Sequence, residues 1–170
     1  MFSEIIDFTN CCADDKKIDF LYAIFKDDFV NNDVHLNGTV YIDPKSHDKE
    51  DGKEKVFCHI VTKVNPKTKK REFDENRASR IKWIKKIIEN YFNHQIKLFY
   101  HYEEKQKVIR LYLWAYNKDF IVIIQKLGKK SSYLVTSFYI DKNYNRKIYD
   151  KRFETYINKS DDKLKGCEWF

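Results

Sequence analysis

The sequence predicts an α+β domain in which helices lie against an antiparallel sheet. Three observations predict it. Two segments, about 18–29 and 74–92, carry apolar side chains near helical spacing. Between about 96 and 140, runs rich in β-branched and aromatic residues are joined by links as short as Asn117-Lys118-Asp119 and Gly128-Lys129-Lys130-Ser131, which suits hairpins. A chain of 170 residues, 42% of them hydrophobic, is also long enough to bury one core.

The elements follow in order. Ile18 to Phe29 reads as a helix, with Asp14 or Asp15 as its N-cap. Val34 to Ile42 reads as extended structure around an Asn37-Gly38 turn. Pro44 to Lys55 is a polar linker, and Val56 to Val64 a strand. Asp74-Glu75-Asn76 caps the clearest helix, which runs to about Phe92 with Ile81, Ile84, Ile88 and Tyr91 on one face and Lys82, Lys85, Lys86 and Glu89 away from it. Three strands form a meander: Ile96 or Val108 to Tyr116, Phe120 to Lys126, and Ser132 to Ile140. A basic, aromatic arm or helix spans 145–158, and residues 167–170 either fray or pack. The whole reads as an N-terminal helix and extended segment, a helix packed on an antiparallel meander, and a basic C-terminal arm.

Charge divides this single domain. Residues 1–52 carry 12 acids and 5 bases, net −7, whereas the remainder is net +14, within an overall +7. We therefore read 1–52 as an acidic N-terminal part and 53–160 as the basic functional core. Such a cationic field attracts polyanions, nucleic acid above all, although lysine runs are equally a solvated surface. Four cysteines, two adjacent at Cys11-Cys12, make no disulfide framework and fit a reducing cytosol. The opening Met1-Phe2-Ser3-Glu4 lacks a basic leader, and no apolar run approaches a membrane span, so a cytoplasmic protein without membrane contact is expected. No His/Cys pair has zinc-ligand spacing, and no Gly-rich phosphate loop is present.

Four blocks set chemically competent side chains into hydrophobic surroundings: Cys58 to Thr62, Arg77 to Trp83, Ile109 to Trp114 and Tyr133 to Tyr139. Polar groups in such places are expensive unless partnered or used. Alternation along Val108 to Tyr116 puts Ile109, Leu111, Leu113 and Ala115 on a core face, and Arg110, Tyr112, Trp114 and Tyr116 on a basic, aromatic surface. Arg77 and Arg80 extend the apolar stripe of their helix, so both point inward at its first turn, where a helix N-terminus and two guanidiniums would hold an anion. His59 is the one histidine set in the 56–64 strand; His35, His47, His94 and His101 fall in loops or at element ends. Each residue also has a plainer role. His59 can be a hydrogen-bonded core histidine, Arg77 and Arg80 can bridge to Glu72, Asp74 or Glu75, Arg110 and Tyr112 can pair across the sheet, and Thr136 can simply favour a strand.

The blocks FCHIVTK, REFDENRASRIKWIKKIIEN, IRLYLWAYNKDFIVII and YLVTSFYI resemble the phage- and mobile-element-associated barnase/EndoU/colicin/RelE-like nucleases, over roughly residues 20–156. The resemblance implies a RelE/barnase-like fold, RNA as substrate, no metal or other cofactor, and a shared active-site set of His59, an arginine at the helix start, Arg110 and the Thr136 hydroxyl. It also implies toxin-like relatives that an antitoxin or immunity protein restrains. The expected chemistry is metal-independent transesterification, giving a 2′,3′-cyclic phosphate and a 5′-hydroxyl. Arg77, Arg80 and Arg110 would hold the phosphate and His59 would take the 2′-hydroxyl proton. Thr136 or Tyr112 would donate to a nonbridging oxygen, while Tyr112, Trp114, Tyr133 and Tyr139, with Lys126 beside them, would bind unpaired RNA. The alternative is a nucleic-acid-binding module, or a protein-binding relative, that does not cut.

Overall fold

In a computed structural model, which describes residues 2–10, 13–45 and 47–169, a sheet lies between two helical layers. The first helix, α1 (Asp14–Phe25), continues into a short π-helical turn (Lys26–Val30) and buries Leu21, Phe25 and Phe29. Its N-cap position is Ala13, one residue before the expected aspartates, which instead occupy the first turn. Then β1 (His35–Leu36) and β2 (Val40–Asp43) form the hairpin expected at Asn37-Gly38, where both residues take the positive φ (53° and 63°) that this tight turn demands.

The next segment departs from expectation. The 44–55 stretch is no plain linker: β3 (Lys49–Glu50) and β4 (Lys53–Glu54) pair around Asp51-Gly52, both at positive φ. Residues 55–61 are not a strand but a helix, α2 (Lys55–Val61). It buries Val56, Phe57, Ile60 and Val61, a helical stripe whose β-branched composition reads as a strand in isolation. A ribbon of β5 (Thr62–Val64) and β6 (Arg71–Phe73) follows.

The helix expected over 74–92 is broken. Asp74 does cap it, its carboxylate accepting from the Arg77 amide at 3.2 Å, but α3 (Glu75–Ala78) lasts one turn. Three-residue-spaced hydrogen bonds carry the chain through 79–82 into α4 (Trp83–Glu89). That tighter winding leaves Ile81, Trp83 and Ile84 buried together.

The meander has four strands, β7 (Ile96–Glu103), β8 (Val108–Ala115), β9 (Phe120–Lys126) and β10 (Ser131–Tyr139), and α5 (Asn143–Ile157) closes the fold. The sheet order is β1-β2-β10-β9-β8-β7, antiparallel except for β2 with β10, which pair only at Tyr41–Asp43 and Ser131–Tyr133. Beyond Tyr133 the strand therefore has no sheet neighbour on that side, and α2 and α3 pack along it.

The inner face (Tyr100, Leu111, Leu113, Val122, Ile124, Leu134) packs on the helices that precede the meander. The outer face (Phe99, Tyr112, Trp114, Ile121, Ile123, Phe138) packs on Tyr149 and Phe153 of α5. Here the sequence expectation fails: Tyr112 (2% exposed) and Trp114 (0%) are a second core under α5, not an open surface for bases. Apolar rings on both faces of a strand need a cover on both faces, and the basic arm supplies it.

Candidate active site

The segment from α2 to α3 assembles the densest set of candidate side chains. At the end of α2 the Thr62 hydroxyl donates back to the Cys58 carbonyl at 2.5 Å, and Arg71 Nε donates to that hydroxyl at 2.8 Å. Arg77 Nη1 donates to the Thr62 carbonyl at 3.2 Å and, more weakly, to the His59 carbonyl at 3.4 Å. Two guanidiniums thus satisfy helix-end carbonyls that lack intrahelical partners. Asp74, 8% exposed, ties in two cations: Lys63 Nζ lies 3.3 Å and Arg77 Nε 3.6 Å from its Oδ2. Because that carboxylate already occupies the start of α3, the expected anion site at the helix N-terminus is filled from within.

His59 stands on this helix end, half-buried. Burial first, then the positive charges of Arg71 and Lys55, hold its pKa below the ordinary histidine value, so the imidazole is neutral at pH 7. Burial also lowers the Arg77 pKa, with Asp74 opposing, and the guanidinium stays charged.

Beside this cluster opens a cleft of about 320 Å³. Lys63, Asp74 and Arg77 stand on one wall, Phe138 and Tyr139 of β10 on another, and Asn145 and Tyr149 of α5 on the third, with Asp141 between; the predicted His59 and Thr136 do not line it. Its site is a consequence of topology, since only an edge without a sheet neighbour lets a side chain from α3 reach round β10. Arg77 does so, its guanidinium 5.6 Å from the centroid of Phe138 on the outer face. Thr136 shares that face two residues earlier, just past a register shift between Leu134 and Thr136, its hydroxyl donating to the Ser137 carbonyl at 3.4 Å.

The remaining predicted residues lie elsewhere. Arg80 donates to the Asn76 carbonyl at 2.5 Å and stacks 4.3 Å from the Tyr139 centroid, on the side away from Arg77. Arg110 bonds Gln125 at 3.1 Å and Tyr133, in a polar row that runs His101, Arg110, Gln125, Tyr133 across four strands of the outer face. His101 is therefore mid-strand rather than in a loop, and burial, then Arg152, lowers its pKa. Tyr112 is held by Glu103 and by Arg152 at 3.0 Å, and burial raises its pKa well above the ordinary phenol. It is a fixed core group, not a free donor. Lys126 is exposed, and Lys45 sits 3.9 Å over the Tyr133 ring.

The chain matches no protein-family model, no curated protein and no solved structure.

Sequence reasoning missed Lys63, Arg71, Asn145 and Tyr149. The first two fall in blocks singled out for other residues; pairing Thr62–Val64 with Arg71–Phe73 around Asn65-Pro66 would have brought them to the end of α2. No pattern in the sequence points to Asn145 or Tyr149, because their place depends on how α5 crosses the sheet. Among the described residues no cluster of three or more His, Cys, Asp or Glu is disposed to hold a metal ion, and no helix is long and apolar enough to cross a membrane. Cys58 and Cys167 are free and half-buried, and Cys11 and Cys12 lie outside the described residues.

Proposed function

We propose that the chain is a metal-independent endoribonuclease whose reaction takes place at the cleft beside Arg77. One observation supports this most: a histidine kept neutral at pH 7 belongs to the same α2–α3 segment as Arg71, Lys63 and Arg77, and the last two line an open cleft. A neutral imidazole accepts a proton; adjacent cations stabilise the charge that follows.

His59 takes the proton of a ribose 2′-hydroxyl. The 2′-oxygen attacks phosphorus, and the added negative charge of the phosphorane meets Arg77 and Lys63. The P–O5′ bond breaks, the 5′-oxygen takes a proton from water, and the imidazolium returns its proton to solvent. The products are a 2′,3′-cyclic phosphate and a 5′-hydroxyl. Thr136, weakly committed on the same strand as Phe138, donates to a nonbridging oxygen, and Tyr149 offers a ring edge to an unpaired base.

A second reading rests on one feature. Arg77 spends its Nη1 donor on carbonyls of its own chain, as a purely structural arginine does, and a nucleic-acid-binding module would need no more. Incubation with total cellular RNA in EDTA separates the two. The nuclease yields fragments ending in 2′,3′-cyclic phosphate, and His59→Ala abolishes them while melting like the parent. Salt-dependent RNA binding without fragments supports the module instead.

A further inference from the structure

A second cleft adjoins the first, and Tyr139 lines both. Arg80, Trp83 and Tyr139 form one side of it, the N-terminal segment at Ser3 another, and the turn at Lys118 its mouth. The Arg80 guanidinium lies 4.3 Å from the Tyr139 centroid and 5.4 Å from that of Trp83, held by two rings. Its Nη1 is used, on the Asn76 carbonyl, but its Nε is buried and has no hydrogen-bond partner among the described residues.

The Ser3 hydroxyl is in the same condition, buried and without a partner. Its position is well fixed. Trp83 Nε1 donates to the Ser3 carbonyl at 2.9 Å, Phe2 packs 5.0 Å from Trp83, and the Ile6 amide bonds the Ser79 carbonyl at 2.9 Å. Two orphaned donors, brought to one cleft from distant parts of the chain, call for an acceptor that the protein itself does not provide.

The charges describe that acceptor. Arg80 and Lys118 are cations, Asp119 is neutralised by its ion pair with Arg146, and Glu4 is an exposed rim group. A small anion that accepts hydrogen bonds from a guanidinium and a hydroxyl suits this lining, and a phosphate has that chemistry. Arg77 and Arg80 leave the same turn of chain three residues apart, where side chains start about 5–6 Å from each other, and they enter different clefts. We infer that the Arg80–Ser3–Lys118 cleft is a subsite for a second phosphate of a nucleotide strand, next to the one held at Arg77. The strand's identity rests on the ribonuclease reading.

The test uses 2′-deoxy oligonucleotides, which bind without being cut: a dinucleotide with one phosphate and a trinucleotide with two, titrated at low salt. The full chain binds the trinucleotide several-fold more tightly. Ser3→Ala and Lys118→Ala, which remove no packed side chain, bring the ratio of the two affinities toward one. Arg80→Lys, which keeps the charge but loses the Nε–H, does the same. Equal affinities in the parent overturn the subsite, as does a ratio that survives in variants melting like the parent, or no binding of either oligonucleotide. An intact ratio in a protein that cuts no RNA sinks the ribonuclease reading alone. RNA cleavage with a ratio of one sinks the subsite alone.

Discussion

At the scale of single residues, two half-buried histidines, His59 and His101, should make the molecule sensitive to acid. His59 and His101 both have folded pKa values below the ordinary value of about 6.5, so the unfolded chain takes up their protons first as pH falls. Their contribution to stability is complete above about pH 6.5 and is lost as pH falls through the lower folded values. Denaturant midpoints from pH 7.5 to 5 should decline, and His59→Gln together with His101→Gln should flatten the decline; an unchanged slope would exclude both groups. The same protonation disarms the proposed base, so cleavage should fall on the acid side with an apparent pKa below 6.5. Tyr112 offers a stability test away from the cleft. Tyr112→Phe removes the hydroxyl shared by Glu103 and Arg152 and leaves the partly buried Glu103 carboxylate short of a donor, for a loss of about 1–3 kcal/mol in urea melts.

At the scale of elements, the critical joint is the end of α2, where Arg71 and Arg77 both serve the Thr62 carbonyl. Arg77→Ala should cost about 1.5–3 kcal/mol, the range for hydrogen bonds to a charged group, as well as activity. Arg77→Lys should recover stability better than turnover, because a point charge can approach a carbonyl but cannot serve carbonyl and phosphate together; equal recovery of both would make the residue structural. This joint also marks the limit of what the sequence made legible. The Asn37-Gly38 hairpin, the Asp74 cap and the meander links could be read directly, since turn and cap chemistry is local. The 55–61 helix could not be read so, because Val56, Ile60 and Val61 favour a strand by propensity and become helical through what they pack against. For the same reason the alternation of Tyr112 and Trp114 with Leu111 and Leu113 was correct, while the exposure of the first pair was not. Of the candidate site, His59 and Arg77 stand out in the sequence because each is polar in an apolar block, whereas Arg71 and Lys63 look like any surface cation.

At the scale of the molecule, the charge asymmetry acquires a geometry. The acidic helix α1 packs with the inner-face core, while the proposed cleft lies past the edge of β10 that has no sheet neighbour. Asp14 and Asp15 open α1, and Asp28 is engaged with Lys85 at 3.9 Å. Changing Asp14, Asp15 and Asp27 to Asn, and sparing Asp28, should raise RNA affinity modestly at low salt. The gain should vanish near 1 M salt, where the screening length is only about 3 Å. Weaker binding by a folded triple variant would place the acidic segment inside the RNA site.

The brief parallel pairing of β2 with β10 also bears on how the chain acquires its shape. The meander from 96 to 139 joins neighbours in sequence, whereas residues 41–43 can meet 131–133 only after nearly the whole intervening chain has been ordered. Closing so long a loop is entropically unfavourable until other contacts hold its ends near one another, so this seam should form after the transition state for folding. Ile42→Val, in β2, should therefore accelerate unfolding and leave the refolding rate almost unchanged, while Val122→Ala, at the centre of β9, should slow refolding. Stopped-flow chevrons would read both. Since the seam fixes where β10 ceases to have a sheet neighbour, the opening that admits Arg77 to the outer face would be among the last features of the protein to exist.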